Sequence, residues 1–215
     1  MKENGFLQTD EILRDSTPCA DLRAFADRLY EENTARGVET LRKRTREEIF
    51  ALLSAQNPAR ILEIDTAEGA SGIGMLSAAP NATLTTVECD EARCLAAKEN
   101  FRAAGVSNRV TQLFGDAREA LLMMERPFDF ILLDGPKGMY AEFYPVLKNL
   151  LVSGGTLAAD DVLFHGYVTG ETPYRTKHGA IIRSLRTFIQ TAQEDKDMTL
   201  RFFEEEDGLL ILTKK

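Results

Sequence analysis

The sequence has 215 residues, 44% of them hydrophobic, which is enough for one large core but too little for two independent domains. Its net charge of -8 excludes a global basic field that would draw the protein to nucleic acid or to anionic lipid. Residues 1–10 are polar and predict no signal peptide, and no apolar run approaches the ~20 residues that span a bilayer.

Two helices are predicted ahead of the first strand. Residues 1–16 form a loose arm, and Thr17-Pro18 starts the first helix, because proline suits the first helical position. Apolar residues at helical spacing follow, and Gly37 ends the run. A second, charged helix covers roughly residues 40–56, so a helical segment over 17–56 precedes the rest of the fold.

From Arg60 onward, predicted strands and helices alternate. The strands cover residues 61–64, 83–87, 110–114, 128–133 and 156–159, and the helices cover residues 69–79, 90–104, 117–125, 139–151 and 181–192. Gly105 caps the second of these helices, and Gly154-Gly155 closes the fourth. A polar loop runs to Gly179, and residues 199–204 and 209–213 form a β-hairpin. The pattern predicts a single α/β domain over residues 1–215, with a mostly parallel sheet, helices on both faces and an antiparallel edge.

Acidic residues end five consecutive predicted strands. They are Glu63, at the end of the first strand and ahead of the turn that runs to Gly69, then Glu88, Asp116, Asp134, and the pair Asp160 and Asp161. A single acidic residue in such a place is commonly a solvated helix cap. In parallel sheets, however, the carboxyl ends of the strands meet at one edge, where ligands bind. Five acidic strand ends therefore predict one acidic crevice, whose charges are compensated by a cation or by hydroxyl donors.

Two ligands suit this crevice. Glu88 follows the second strand, where an acidic residue can accept hydrogen bonds from the hydroxyls of a ribose. Asp134, Asp160 and Asp161 offer the oxygen ligands that a hard divalent cation prefers. Lys137 is either an exposed loop lysine or a residue beside the metal that acts as a general base or stabilises an oxyanion. If Lys137 lies beside the metal, nearby cations lower the pKa of its ammonium group toward the pH at which the protein works.

The remaining polar candidates carry weaker signals. His165 and His178 match no metal-ligand spacing and are interpreted as loop residues. Glu204 lies at the turn of the hairpin, where it is either solvated or at the rim of the site. Three cysteines match no zinc or redox motif and indicate reduced thiols in a cytoplasmic protein: Cys19, Cys89 and Cys94.

Five motifs together resemble a known family. They are Ile-Leu-Glu-Ile-Asp-Thr-Ala-Glu-Gly (61–69), Thr-Val-Glu (86–88), Gly-Asp-Ala (115–117), Phe-Asp-Phe-Ile-Leu-Leu-Asp-Gly-Pro-Lys-Gly-Met-Tyr (128–140) and Gly-Gly-Thr-Leu-Ala-Ala-Asp-Asp-Val-Leu (154–163). Each is weak alone, but their order within residues 17–215 resembles the metal-dependent catechol and caffeoyl-CoA O-methyltransferases. The resemblance implies a Rossmann-like class I methyltransferase sheet of seven strands in the order 3-2-1-4-5-7-6. It also implies S-adenosylmethionine as cofactor, Mg2+ or another divalent cation, and a homodimer.

The resemblance further implies roles for individual residues. Glu88 would hold the ribose, Asp116 and Ala117 the adenine edge, and Gly69 and Ser71 would lie near the methionine part of the cofactor. The whole predicted cofactor site comprises Glu63, Asp65, Gly69, Ser71, Glu88, Asp116, Ala117 and Asp134. The predicted metal ligands are Asp134, Asp160 and Asp161, and the predicted catalytic residues are Lys137 and Asp134. Glu204 is similar to the acidic residue that some catechol enzymes use to hold the substrate.

Two substrates are compatible with the sequence. Leu-Phe-His-Gly-Tyr-Val (163–168) resembles the bacterial branch that methylates 5-hydroxyuridine at the tRNA wobble position, so the tRNA anticodon loop is the first prediction. Four basic residues are either the local patch that this substrate requires or ordinary surface charge: Arg175, Lys177, Arg183 and Arg186. The alternative is a small molecule with vicinal phenolic hydroxyls, for which Phe164, Tyr167 and Tyr174 offer aromatic contacts.

The chain departs from the family pattern at two positions. The family has glycine where this chain has Asp65, at a tight turn beneath the cofactor, where glycine allows close backbone approach. The family also has asparagine where this chain has Asp161, an exchange that keeps an oxygen ligand and adds a charge. Asp65 leaves a third hypothesis open, in which the chain is a non-catalytic binding protein that has lost affinity for the cofactor.

Overall fold

The computed structural model describes residues 21–125, 127–173 and 176–215. Its helices are α1 (Leu22–Ala35), α2 (Lys43–Gln56), α3 (Ala70–Ala78), α4 (Glu91–Ala104), α5 (Ala117–Leu122), α6 (Tyr140–Leu150) and α7 (Gly179–Glu194). Its strands are β1 (Arg60–Ile64), β2 (Thr83–Glu88), β3 (Val110–Phe114), β4 (Phe128–Leu133), β5 (Leu151–Ala159), β6 (Met198–Phe203) and β7 (Leu209–Lys214). The predicted arm over residues 1–16, the helix start at Thr17-Pro18, and Cys19 lie outside the described residues.

The seven strands form one sheet in the order β3-β2-β1-β4-β5-β7-β6. Strands β1 to β5 are parallel, and β7 is antiparallel to both of its neighbours, β5 and β6. The Rossmann-like sheet and the antiparallel hairpin are therefore confirmed. Because the five parallel strands share one direction, the residues that follow β1, β2, β4 and β5 lie along the same edge.

Helices cover both faces of the sheet. On one face the core includes Ile49 of α2 and Phe101 of α4, and on the other it includes Tyr140 of α6 and Phe188 of α7. Strand β4 contributes to both cores, because successive residues of a strand point to opposite faces. Phe130 and Leu132 belong to the first core, and Ile131 and Leu133 to the second. A strand covered on both sides explains the continuous apolar run of β4.

Several helix boundaries differ from the sequence prediction. Helix α2 begins at Lys43 instead of near residue 40, because Glu206 caps it by accepting from the N–H groups of Arg44 (3.2 Å) and Thr45 (3.1 Å). Helix α5 ends at Leu122, three residues early, and α7 runs from Gly179 to Glu194, longer than predicted at both ends. No helix in the described part of the chain is long and apolar enough to cross a membrane.

The glycine pair Gly154-Gly155 lies inside β5 and does not close helix α6. The helix ends at Leu150, and β5 begins at the next residue. Leu151 pairs with Phe128, whereas Thr156 pairs with Phe130, so the register shifts over the glycines. Gly154 has φ +81°, a conformation that glycine adopts without strain. The predicted strand start at residue 156 is therefore wrong, because the glycines form an irregular stretch within the strand.

Candidate active site

Three aspartates lie together at the carboxyl ends of β4 and β5. Asp134 follows β4, and Asp160 and Asp161 follow β5. One carboxylate oxygen from each lies within 4.8 Å of the other two. Oxygens bound to one hard divalent cation at roughly 2.0–2.6 Å lie up to about 4–5 Å apart, so the three side chains fit a single ion. Tyr140 joins the two strand ends, because its hydroxyl lies 3.1 Å from the carbonyl oxygens of Leu133 and Asp160.

The acidic cluster resists ionisation in the absence of a compensating charge. Burial and then the charge of Asp161 raise the pKa of Asp160 to about 7. Burial and then the charge of Asp160 raise the pKa of Asp134 well above its ordinary value. A cation among the three oxygens would favour the ionised carboxylates. The donor set, three carboxylates at adjacent strand ends, is the chemistry that Mg2+ or a similar ion prefers.

Two cationic side chains contact Asp161. Lys137 Nζ lies 2.9 Å from Asp161 Oδ2, and Arg42 Nη1 lies 3.4 Å from Asp161 Oδ1. Burial lowers the pKa of Lys137, but the charges of Asp161 and Asp134 outweigh it and raise the pKa above its ordinary value. The lowered lysine pKa expected from the sequence depends on a bound cation and stays a prediction. Arg42, which no motif indicated, contacts the other carboxylate oxygen of Asp161.

Asp65 adopts a backbone conformation that favours glycine, the residue that the resemblance leads us to expect at this position. Its φ is +80°, in the left-handed region that favours glycine, and its N–H donates to the carbonyl of Val87 at 3.0 Å. The carboxyl faces Glu88. Burial, followed by the charge of Glu88 and a hydrogen bond shared with it, raises the pKa of Asp65 to about 6. Asp65 therefore introduces an acidic side chain next to the predicted ribose site.

Glu88 is held rigidly at the end of β2. It is 1% exposed, and its two oxygens accept from the N–H groups of Ala67 and Asp90, each at 2.8 Å. Each oxygen keeps further acceptor capacity for a ligand hydroxyl. Asp116 behaves differently, because it is exposed and caps α5 by accepting from the N–H of Arg118 at 2.8 Å. The structure thus places a helix cap at Asp116, with Ala117 as the first residue of α5.

A pocket lies between α1, the loop that joins α1 to α2, and the carboxyl edge of the sheet. Its lining comprises Tyr30, Asn33, Glu39, Thr40, Leu41, Asp65, Thr66, Ala67, Glu68, Ala70, Ser71, Arg93, Asp134, Lys137 and Asp161. We call it the cofactor pocket. Among the predicted residues it brings together Asp65, Ser71, Asp134, Lys137 and Asp161. The other predicted site residues are not among its lining residues: Glu63, Gly69, Glu88, Asp116, Ala117 and Asp160. Gly69 is buried.

Gly69 has a packing role. Its φ is +86°, and a Cβ atom built on it would lie 3.1 Å from the ring of Phe101. The residue therefore lets α3 start close to α4, whether or not a ligand is bound.

Glu63 is the most deeply buried acid at this edge. It is fully buried, and Oε2 accepts from the hydroxyl of Thr86 at 2.7 Å. Burial raises the pKa of Glu63 to about 7, although the hydroxyls of Ser71 and Thr86 oppose the shift. Its Oε1 has no hydrogen-bond partner in the part of the chain that the structure describes. The unpartnered oxygen points to a ligand or solvent molecule that donates a hydrogen bond there.

A second depression lies beside the acidic cluster, and we call it the outer groove. Its lining comprises Arg42, Leu163, His165, Gly166, Thr169, Glu171, Thr172, Phe202, Glu204, Glu206 and Asp207. Buried Asp207 joins the walls, because it accepts from the N–H of His165 at 2.5 Å and from Arg42 Nη2 at 3.4 Å. His165 therefore lines the groove, and exposed Glu204 stands at its rim.

Aromatic rings cluster on the segment that follows Asp161. Adjacent ring centroids of Phe164, His165, Tyr167 and His178 lie 5.3–5.9 Å apart. Arg186 donates to the carbonyl of Val168 at 2.9 Å, whereas Lys177 and Arg183 are exposed. Tyr174 and Arg175 lie outside the described residues.

Comparison with known proteins identifies the family. The model of the O-methyltransferase family matches residues 21–215. The chain belongs to the O-methyltransferase family. It is 34% identical over 116 residues to the catechol O-methyltransferase of Niastella koreensis, an alignment that spans 52% of either chain.

Solved structures agree with this O-methyltransferase fold. A putative caffeoyl-CoA O-methyltransferase from Staphylococcus aureus has a TM-score of 0.82 and 26% identity, over 88% of this chain and 92% of that one. The O-methyltransferase from Bacillus cereus in complex with SAH has a TM-score of 0.79 and 20% identity, over 95% and 94%. The predicted O-methyltransferase family and its fold are confirmed.

Proposed function

We propose that this O-methyltransferase uses a divalent metal ion to methylate a phenolic hydroxyl of a small aromatic substrate. The carrying observation is the trio of Asp134, Asp160 and Asp161, with oxygens within 4.8 Å of one another and Lys137 2.9 Å from Asp161. Asp134, Asp161 and Lys137 line the cofactor pocket, and Asp160 completes the trio beside it. The names of relatives, catechol and caffeoyl-CoA O-methyltransferases, support an aromatic hydroxyl as the acceptor.

The cofactor pocket suits a cationic ligand that carries a ribose. S-adenosylmethionine supplies a methyl group on a positively charged sulfur, which the surrounding carboxylates favour. Glu88 accepts from the ribose hydroxyls, since its backbone contacts fix both oxygens in place. Glu63 and Ser71 face the amino-acid end. Asp65 narrows the pocket beside Glu88 and makes binding weaker than glycine would.

The acceptor hydroxyl is activated at the acidic trio. Asp134, Asp160 and Asp161 would hold a divalent cation, which would supply Lewis-acid chemistry toward a hydroxyl. Lys137 is placed to act on the same hydroxyl, because its Nζ lies 2.9 Å from Asp161 Oδ2. Its Nζ therefore stabilises the developing oxyanion by donating a hydrogen bond. Arg42 holds Asp161 in place while Lys137 turns toward the substrate.

The surroundings of the trio favour a small aromatic molecule over a polyanion. Four of the eleven residues that line the outer groove are acidic, Glu171, Glu204, Glu206 and Asp207. These charges repel phosphates, while the rings after Asp161 offer stacking surfaces. The tRNA substrate stays a prediction from residues 163–168, with exposed Lys177 and Arg183 as its support. The homodimer and the non-catalytic alternative likewise stay predictions from the sequence.

Transfer of a labelled methyl group tests the proposal. The acceptors are a 1,2-diphenol, the same ring with one hydroxyl removed, and a tRNA that contains 5-hydroxyuridine, each with Mg2+ and with excess chelator. We expect transfer to the diphenol only when Mg2+ is present. Lys137→Met should reduce the rate at least tenfold, Lys137→Arg should retain part of it, and the exposed control Lys196→Met should match wild type. Preference for the tRNA would reverse the assignment of the substrate, and no transfer to any acceptor would favour the non-catalytic alternative.

A further inference from the structure

Only two buried side-chain polar atoms in the described part of the chain lack a hydrogen-bond partner. They are the hydroxyl oxygen of Tyr30 and Oε1 of Glu63. Buried polar atoms are nearly always paired, so each such atom requires an explanation. Tyr30 lines the cofactor pocket, and the charge of Glu63 acts on its hydroxyl. The two unpartnered atoms therefore belong to one region of the molecule.

Tyr30 is built into α1 so that its ring is fixed. It is 2% exposed, and the guanidinium of Arg46 lies 3.9 Å from the ring centroid. Burial raises the pKa of Tyr30 well above its ordinary value, and the charges of Glu63 and Asp134 add to the rise while Arg46 opposes it. The phenol is thus neutral and can donate a hydrogen bond. The Tyr30 hydroxyl is a fixed donor without an acceptor, so it suits a ligand that carries a hydrogen-bond acceptor.

The two atoms have complementary requirements. Tyr30 offers a donor, and the carboxylate of Glu63 offers an acceptor that prefers a cationic donor. A free amino-acid group meets both, because it carries a carboxylate and an ammonium group on the same carbon. Adenosine and a phenol offer neutral hydroxyls and a phosphate offers an anion, so none of them combines a cationic donor with an anionic acceptor. The pair therefore selects the amino-acid end of the cofactor.

We propose that Tyr30 is a cofactor-binding residue whose hydroxyl donates to the α-carboxylate of S-adenosylmethionine, while Glu63 Oε1 accepts from its ammonium group. The inference rests on the proposed cofactor site and extends it to helix α1. It gives α1 a role in ligand recognition, which its helical apolar spacing did not indicate. Because Tyr30 contacts the cofactor, it contributes to affinity for every ligand with an intact amino-acid end.

Calorimetry with two ligands tests the role of Tyr30. S-adenosylhomocysteine contains the amino-acid end, whereas 5′-methylthioadenosine contains the adenosine and the sulfur but lacks it. We expect Tyr30→Phe to weaken binding of S-adenosylhomocysteine about tenfold, the effect of one hydrogen bond to a charged group. Binding of 5′-methylthioadenosine should not change. The matched control is Tyr144→Phe. Tyr144 lies in α6, and its hydroxyl donates to Asp195 at 2.8 Å, away from the cofactor pocket.

Thermal unfolding without ligand gives a second readout. Removal of an unpartnered hydroxyl should leave the melting temperature of Tyr30→Phe equal to that of wild type or higher. Tyr144→Phe loses a hydrogen bond and should melt at a lower temperature. A lower melting temperature for Tyr30→Phe would mean that its hydroxyl is already paired, which overturns the proposal.

The remaining outcomes separate this inference from the proposed function. Equal weakening of both ligands by Tyr30→Phe would place the hydroxyl away from the amino-acid end and overturn the inference alone. An unchanged affinity for S-adenosylhomocysteine with a raised KM for the acceptor would assign Tyr30 to the substrate and also overturn it. If wild type bound neither ligand, the proposed function would fail together with the inference.

Discussion

Replacement of Glu63 by glutamine tests whether the acidic edge of the sheet destabilises the protein at neutral pH. Glu63 is fully buried, and its pKa rises from 4.5 to about 7 in the fold. Below pH 4.5 the carboxyl is protonated in the folded and the unfolded chain, so it carries no penalty. Above pH 7 it is ionised in both, and the folded state bears the cost of the buried charge. The free energy of unfolding therefore falls as the pH rises through this window.

The size of the effect follows from the change in pKa. A rise from 4.5 to about 7 corresponds to a loss of about 3 kcal/mol of stability between pH 4.5 and pH 7. Glutamine has the same shape, keeps an oxygen that accepts from Thr86, and does not ionise. Glu63→Gln should match wild type near pH 4.5 and exceed it by up to about 3 kcal/mol at pH 8.

Urea unfolding of the ligand-free protein, followed by far-UV circular dichroism at several pH values, measures this difference. The difference between variant and wild type isolates Glu63, because other carboxyls titrate in both proteins. Glu48→Gln, a change at an exposed position of α2, is the control and should give a difference that does not vary with pH. A constant difference for Glu63→Gln across the same range would refute the reasoning.

Three further predictions concern the ligands. Asp160→Ala should abolish metal-dependent methyl transfer and leave the circular dichroism spectrum unchanged, and full turnover in excess chelator would contradict the metal site. Glu88→Ala should weaken binding of S-adenosylmethionine by about 1–3 kcal/mol in calorimetry, as for a hydrogen bond to a charged group, and an unchanged Kd would place the ribose elsewhere. Asp65→Gly should tighten the same binding by about 1–3 kcal/mol, because it removes a largely buried carboxyl that faces Glu88 and shares a hydrogen bond with it. Weaker binding by that variant would make Asp65 a cofactor ligand.

The sheet and the acidic trio could be predicted from the sequence because their signals are local. Strand β4 is a continuous apolar run, and the acids that follow β4 and β5 are adjacent in the chain to those strands. Parallel geometry then brings Asp134, Asp160 and Asp161 together without further information. The cofactor role of Asp116 stays a prediction, since a helix cap and a ligand-binding acid have the same sequence pattern.

Features that depend on distant contacts could not be predicted. The start of α2 is set by Glu206, which lies 163 positions after Lys43 in the chain. The position of the glycines inside β5 is explained only by the register of that strand against β4. Tyr30 has the spacing of a core residue, and nothing in the sequence distinguishes a paired hydroxyl from an unpaired one. The raised pKa of Lys137 required the positions of Asp161 and Asp134 relative to Nζ.

The turn between β6 and β7 holds the start of α2, beside the cofactor pocket, through charged contacts. Arg44 pairs with Glu205, Glu206 caps α2, and Arg42 bridges Asp207 and Asp161. Arg44 and Glu205 are both largely exposed, so dissolved salt weakens their attraction. Loosening of this turn would release α2 locally while the sheet stays folded. We therefore expect hydrogen exchange at the first turn of α2 to accelerate as ionic strength rises. The salt concentration would then set how often the start of this helix unfolds locally.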